Sequence, residues 1–210
     1  AEAIASGKNV FEELTEFINE CGAMIVLLLD YELSPAQLIK RYTDENGKNL
    51  HDFHDNLIRL DSNDDFEFKK GDSMEDLINK DIERYIKLYK PKVLIIDNLS
   101  ALKSGTENSK EALPLMQKKK FNLSILVIAH TPKKDTFSSI NMNHLQGSAQ
   151  IGNAIDGCIA LAMCKDNKRR YIKELKQRNE SFTAGSDSVI VCDLEKTFNF
   201  LKFQYVEKKD

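Results

Sequence analysis

The fold class this sequence predicts is α/β: a mainly parallel sheet flanked by helices, with antiparallel strands added toward the C-terminus. Three observations predict it. Short apolar runs recur at Met24–Leu29, Val93–Ile96 and Ser124–Ala129, each bounded by polar or turn-forming residues, as strands buried on both faces of a parallel sheet require. Segments with helical spacing lie between these runs. From Tyr171 onward, apolar and polar residues alternate instead, which is the pattern of an antiparallel meander.

Taken in order, residues 1–7 read as the tail of a helix with Gly7 as its stop. Ala1 is not an initiator Met, so the chain is expected to begin inside a structural element and to belong to something longer. Phe11, Leu14, Phe17 and Ile18 recur at helical spacing and predict a helix over 10–21, broken by Gly22. The strand at 24–29 follows and ends in Asp30-Tyr31-Glu32. Ser34-Pro35 opens the next helix, with Ser as N-cap and Pro at the first helical position, running to about Asp44. Asn46-Gly47 marks a turn, and 56–60 predicts a short strand. Asp72 or Ser73 caps a helix carrying Leu77, Ile78, Ile82, Tyr85, Ile86 and Tyr89. Pro91 then punctuates entry to the Asp97 strand. A polar loop (99–108), a helix over 109–120 limited or kinked by Pro114, and the strand ending in His130 come next. Beyond a polar loop at 133–143 and a short helix over 146–153, strands are predicted at 158–163, 171–176, 188–193 and 199–204, with a frayed tail at 207–210.

The 210 residues suit one domain with a sizeable core. A net charge of −3 excludes a global basic field, so any nucleic-acid contact must be local. Cys21, Cys158, Cys164 and Cys192 form no C-x-x-C pair and fit a reducing cytoplasm better than a disulfide framework. No apolar run approaches membrane-spanning length. His51 and His54 are spaced like half of a metal site but have no nearby Cys or second pair, so zinc is not expected.

Candidate chemistry sits at the strand ends. The carboxyl edge of a parallel sheet is where open α/β folds bind ligands, and three buried strands lead into Glu32, Asp97 and His130 there. An apolar run closed by Asp is the form of a Walker B element, whose Asp helps hold Mg²⁺ on a nucleotide. Each residue also has a plain reading. Asp97 caps the next turn, Glu32 is a solvated first-turn acid, His130 is a structural histidine, and Arg178 lies on a solvated hairpin. Lys118–Lys120 reads as a solvated helix end.

Several segments, taken in sequence order, resemble the RecA-like P-loop ATPase core of RepA- and DnaB-type hexameric helicases. Leu29 through Arg41 (Leu-Asp-Tyr-Glu-Leu-Ser-Pro-Ala-Gln-Leu-Ile-Lys-Arg) is similar to their strand–Glu–helix segment, and Val93 to Asn98 to their Walker B strand. Val127-Ile128-Ala129-His130-Thr131-Pro132-Lys133 is similar to the strand whose terminal His or Gln senses the γ-phosphate. Leu145-Gln146-Gly147-Ser148-Ala149 resembles the segment after the DNA-facing loop, and Lys173 to Asn179 the Lys-x-Arg strand that reaches a neighbouring subunit's nucleotide.

The resemblance implies a single RecA-like, three-layer α/β/α domain over 1–210 that binds ATP and Mg²⁺. Glu32 would polarise the attacking water. Asp97, with Asn98 beside it, would bind Mg²⁺ and nucleotide. His130 would couple the γ-phosphate to the nucleic-acid loop, and Lys176 and Arg178 would act in trans. Lys133 and Lys134 would contact single-stranded DNA in the pore of a homo-oligomeric, hexameric ring. One departure stands out: the sequence contains no G-x-x-x-x-G-K followed by Ser or Thr, the loop that cradles phosphates. Residues 1–7 resemble the helix after such a loop, so the loop is expected just ahead of Ala1, and the chain as it stands is expected to bind nucleotide poorly. A degenerate RecA fold serving as a scaffold in replication or recombination is the alternative.

Overall fold

The computed structural model describes residues 1–15, 17–61, 74–98, 122–131, 139–144, 152–179, 181–185 and 187–209. The helix expected over 109–120, Lys118–Lys120, and the segment 145–149 lie outside them, as does most of the helix expected over 146–153. The architecture is α/β, with a four-stranded parallel sheet and a separate four-stranded antiparallel sheet, consistent with a RecA-like fold. The chain groups into two compact units: Ala1–Lys8, Asn19–Lys40 and Asp52–His130 in one, Asn9–Ile18, Arg41–His51 and Thr131–Asp210 in the other.

The first unit begins with helix α1 (Glu2–Ser6), which stops at Gly7 in the left-handed conformation, φ 73°. Glycine is required there twice over, because a Cβ would fall 2.6 Å from the backbone nitrogen of Ala23. Strands β1 (Val26–Asp30), β2 (Leu57–Asp61), β3 (Val93–Asp97) and β4 (Ser124–Ile128) pair in parallel, in the order β2-β1-β3-β4. Val26 and Leu28 share a face with Val93 and Ile95, and on that face α1 contributes Ile4 and Ala5. Leu27, Leu29, Leu94 and Ile96 point the other way and are buried too. Both faces of the two central strands are therefore covered, which is why their sequences are continuous apolar runs.

Helix α2 (Pro35–Arg41) is opened by a reciprocal cap. Ser34 Oγ accepts from the Gln37 N–H at 3.3 Å, and Gln37 Oε1 accepts from the Ser34 N–H at 2.9 Å. The sequence pattern carries this helix to about Asp44, but it ends at Arg41. Asp44 is instead drawn into a turn, its carboxylate accepting from the Lys48 and Asn49 N–H groups at 2.8 and 3.2 Å around Gly47 (φ 68°). Helix α3 (Met74–Tyr89) buries Ile82 and Ile86 and stacks Tyr85 on Tyr89 along its length.

In the second unit, β5 (Gly157–Met163), β6 (Arg170–Gln177), β7 (Val189–Thr197) and β8 (Phe200–Lys209) form an antiparallel sheet in sequence order. Residues 207–209 of the tail expected to fray are part of β8, with Glu207 opposite Val191 and Lys209 opposite Val189; Asp210 lies outside the described residues. The helix expected over 10–21 is absent from the described residues there, which run as turns and irregular chain. Phe11 and Leu14 pack against Ala184, Ile190 and Cys192, so their spacing serves burial on this sheet rather than a helical stripe. Burial pushes the Cys192 thiol up to about 11, making it an inert part of that core.

Ile96 is fully buried at the centre of the parallel sheet. Ile96→Ala is expected to lower unfolding free energy by about 2–5 kcal/mol, because the cavity left between fixed strands cannot close. Urea unfolding at equilibrium checks this; a loss below about 1 kcal/mol would mean the site collapses freely.

Candidate active site at the carboxyl edge of the parallel sheet

β1 and β3 run in register, so Asp30 and Asp97 lie side by side where the strands end. The Tyr31 N–H donates to the Asp97 carbonyl at 2.7 Å, extending that pairing one residue past β1. Glu32 follows immediately, and its carboxylate is half exposed. Asn98 Nδ2 donates to Glu32 Oε2 at 3.0 Å, and His130 Nε2 lies 3.2 Å from the same oxygen. Residues from the ends of three strands thus meet at one carboxylate. The His130 tautomer that makes this contact a hydrogen bond carries the proton on Nε2.

The Asn98 hydrogen bond, with a further contribution from His130, holds the Glu32 carboxyl below its ordinary value against the opposing effects of burial and of nearby Asp30. A lowered folded-state pKa adds stability above the unfolded glutamate value and loses it as pH falls through the folded one. The half-exposed position leaves that contribution small.

Beneath Glu32 lies a second layer that the sequence analysis did not single out. Asp30 is buried; its Oδ1 accepts from the Glu32 and Leu33 N–H groups at 3.1 and 2.9 Å. Arg59 of β2 donates from Nε to Asp30 Oδ2 at 2.9 Å and from one terminal nitrogen to Asp61 Oδ2 at 3.2 Å. Its other terminal nitrogen donates to the Leu33 carbonyl. A signal was present: Arg59 interrupts the apolar part of its strand two residues before Asp61, and a half-buried arginine in such a place needs carboxylate partners.

The remaining candidates lie in the other unit or outside the described residues. Lys176, near the end of β6, donates from Nζ to the Gly152 carbonyl. Arg178 pairs with Asp156 Oδ1 at 2.9 Å and donates to the Asn153 carbonyl at 3.0 Å. Both cations are thus engaged by residues 152–156 of their own chain. Lys133 and Lys134 lie outside the described residues. His51 stacks 4.4 Å from the Phe200 ring, and His54 Nδ1 accepts from the Asn56 N–H at 3.2 Å.

Residues 1–136 match the AAA domain family. The chain belongs to that family. The matched region takes in Glu32, Asp97, Asn98 and His130 and stops short of Lys176 and Arg178. The AAA match identifies a nucleotide-binding, ATPase-like domain of P-loop type. No curated protein matches the chain.

The rim residues fit a magnesium nucleotide. Mg²⁺ takes oxygen ligands, keeps several waters, and is usually bound through one or two carboxylates plus substrate phosphates. Asp97, half-buried at the end of β3, would offer a carboxylate of that kind. Among the described residues, no three His, Cys, Asp or Glu side chains gather into a protein-only metal cage.

Proposed function

We propose that this chain is the ATPase core of a RepA- or DnaB-type replicative DNA helicase from a phage, plasmid or mobile element. In the intact protein, ATP and Mg²⁺ bind between subunits of a hexameric ring in the cytoplasm, and hydrolysis moves single-stranded DNA. The observation that carries this reading is the convergence of Asn98 and His130 on the Glu32 carboxylate beside Asp97. A bound Mg²⁺ neutralises phosphate charge as it develops during phosphoryl transfer. Asp97 and Asn98 hold the metal and nucleotide side of the site. Glu32 orients water and accepts its proton, a task for which it is ionised at neutral pH. His130, just beyond β4, touches the same carboxylate, so a change in its partner reaches Glu32 directly. Lys176 and Arg178 act across the subunit boundary, and Lys133 and Lys134 contact the DNA backbone.

Turnover of ATP by the intact protein, measured with and without single-stranded DNA, tests the reading. Hydrolysis stimulated by DNA and weakened by salt is expected. A nucleotide-independent scaffold is the second reading. It is favoured by the engagement of Lys176 and Arg178 within their own chain, and absence of both nucleotide binding and turnover would establish it.

The Asn98 contact gives a pH prediction. Asn98→Ala removes the largest influence lowering the Glu32 pKa, so the pKa rises toward the ordinary glutamate value. The acid limb of kcat/KM then moves to higher pH relative to the wild type. A profile that does not move would assign that limb to another group.

A further inference from the structure

The structure assigns Arg59, acting through Asp30, as the residue that positions Glu32. This rests on the proposed hydrolytic role of Glu32 and adds the device that aims it. Glu32 lies beyond the end of β1, where the chain has left the sheet and its backbone needs other partners. After Tyr31, whose N–H is taken by the Asp97 carbonyl, the partners of the Glu32 N–H and of the Leu33 N–H and C=O trace to one guanidinium. Asp30 Oδ1 takes the N–H groups of Glu32 and Leu33, while Asp30 Oδ2 is fixed by Arg59 Nε. The same Arg59 takes the Leu33 carbonyl, so the residue following Glu32 is gripped at both its N–H and its C=O. Asp61 anchors the guanidinium from its own strand. Because Asp30 and Asp61 are register partners on β1 and β2, the assembly is tied to sheet geometry rather than to loop conformation.

Five N–H donors in a rigid plane can serve three acceptors at once; an ammonium cannot do so in this arrangement. Arg59→Lys therefore keeps a cation beside buried Asp30 but releases at least one of the three anchor points. A general base displaced by about 1 Å costs on the order of 10²-fold in rate. Substrate binding does not pass through Arg59, so the loss falls on kcat rather than on KM.

The test is steady-state ATP turnover by the intact protein in four forms: wild type, Glu32→Gln, Arg59→Lys and the double variant. Melting temperature is recorded for each. The expected result is a drop in kcat of roughly 10²-fold for Arg59→Lys with KM near wild type. In the Glu32→Gln background, Arg59→Lys should remove nothing further from the residual turnover, because its effect runs through the lost carboxylate. Normal kcat in Arg59→Lys, with Glu32→Gln inactive, overturns the positioning role and leaves the hydrolytic reading standing. An equal loss in both backgrounds also overturns it, since Arg59 then acts elsewhere. Full activity in Glu32→Gln, or no turnover by wild type, removes the hydrolytic reading and the positioning role with it. Should Arg59→Lys melt early, Asp61→Ala decides the matter. It removes one of the three anchors of the guanidinium while leaving the Asp30 pair and the Leu33 contact in place, so a reduced kcat at wild-type KM is expected, and an unchanged kcat overturns the inference.

Discussion

Glu32→Gln is expected to lower ATP turnover by about 10²–10⁴-fold while leaving nucleotide affinity at the wild-type level. The amide matches the carboxylate in shape but cannot accept a proton from water. The contacts expected to bind nucleotide lie elsewhere, so binding and chemistry should separate, which marks a group whose effect is felt in the transition state. Instability is not a competing explanation. Glu32 is half exposed, and its backbone is held by Asp30 rather than by its own side chain, so the substitution falls in the class that changes stability by less than about 0.5 kcal/mol. Single-turnover hydrolysis and equilibrium nucleotide binding, on the same preparation, check both halves. Unchanged turnover removes Glu32 from the mechanism.

Arg178→Ala is expected to have a comparable or larger effect, about 10³–10⁵-fold, if the guanidinium stabilises charge on a neighbouring subunit's nucleotide. A second experiment separates this from a structural role. Arg178 pairs with Asp156, and that pair is well exposed, so its loss is worth about 0–1 kcal/mol at most. Asp156→Ala removes the same pair while keeping the arginine. If the pair were the whole function of Arg178, the two variants would behave alike; under the trans role, Asp156→Ala stays active and Arg178→Ala does not. Mixing Arg178→Ala with wild-type subunits should depress activity more steeply than the wild-type fraction falls. A loss merely proportional to that fraction would argue that Arg178 serves only its own subunit.

The parallel sheet was legible in the sequence because its two central strands, β1 and β3, are buried on both faces, although β4, also read as a buried strand, is partly exposed along its length. Val93 to Ile96 is an unbroken apolar run, and Pro91 ahead of it and Asp97 behind it mark its limits within a residue. The start of α2 was equally legible, because Ser34-Pro35 encodes a cap and a preset φ locally; its early end was not, because Asp44 is diverted into a turn around Gly47. Residues 10–18 misled for a related reason. Phe11 and Leu14 sit three apart, as on a helix, but their partners Ala184, Ile190 and Cys192 are distant in sequence, and that packing overrides the local pattern. Within the candidate site, sequence order brought out Glu32, Asp97 and His130 because each closes or follows an apolar run. Arg59 stayed hidden behind them, since its meaning depends on the register that sets it beside Asp30.

If the rim at Glu32 is a phosphoryl-transfer site, nucleotide binds there. The most direct measurement is a crystal structure of the intact protein with Mg²⁺ and a non-hydrolysable ATP analogue. The expected result is the metal on the Asp97 side, the terminal phosphate within hydrogen-bond reach of His130, and Glu32 facing that phosphate across a water. A nucleotide seated away from these three residues, or none bound at saturating concentration, would contradict it.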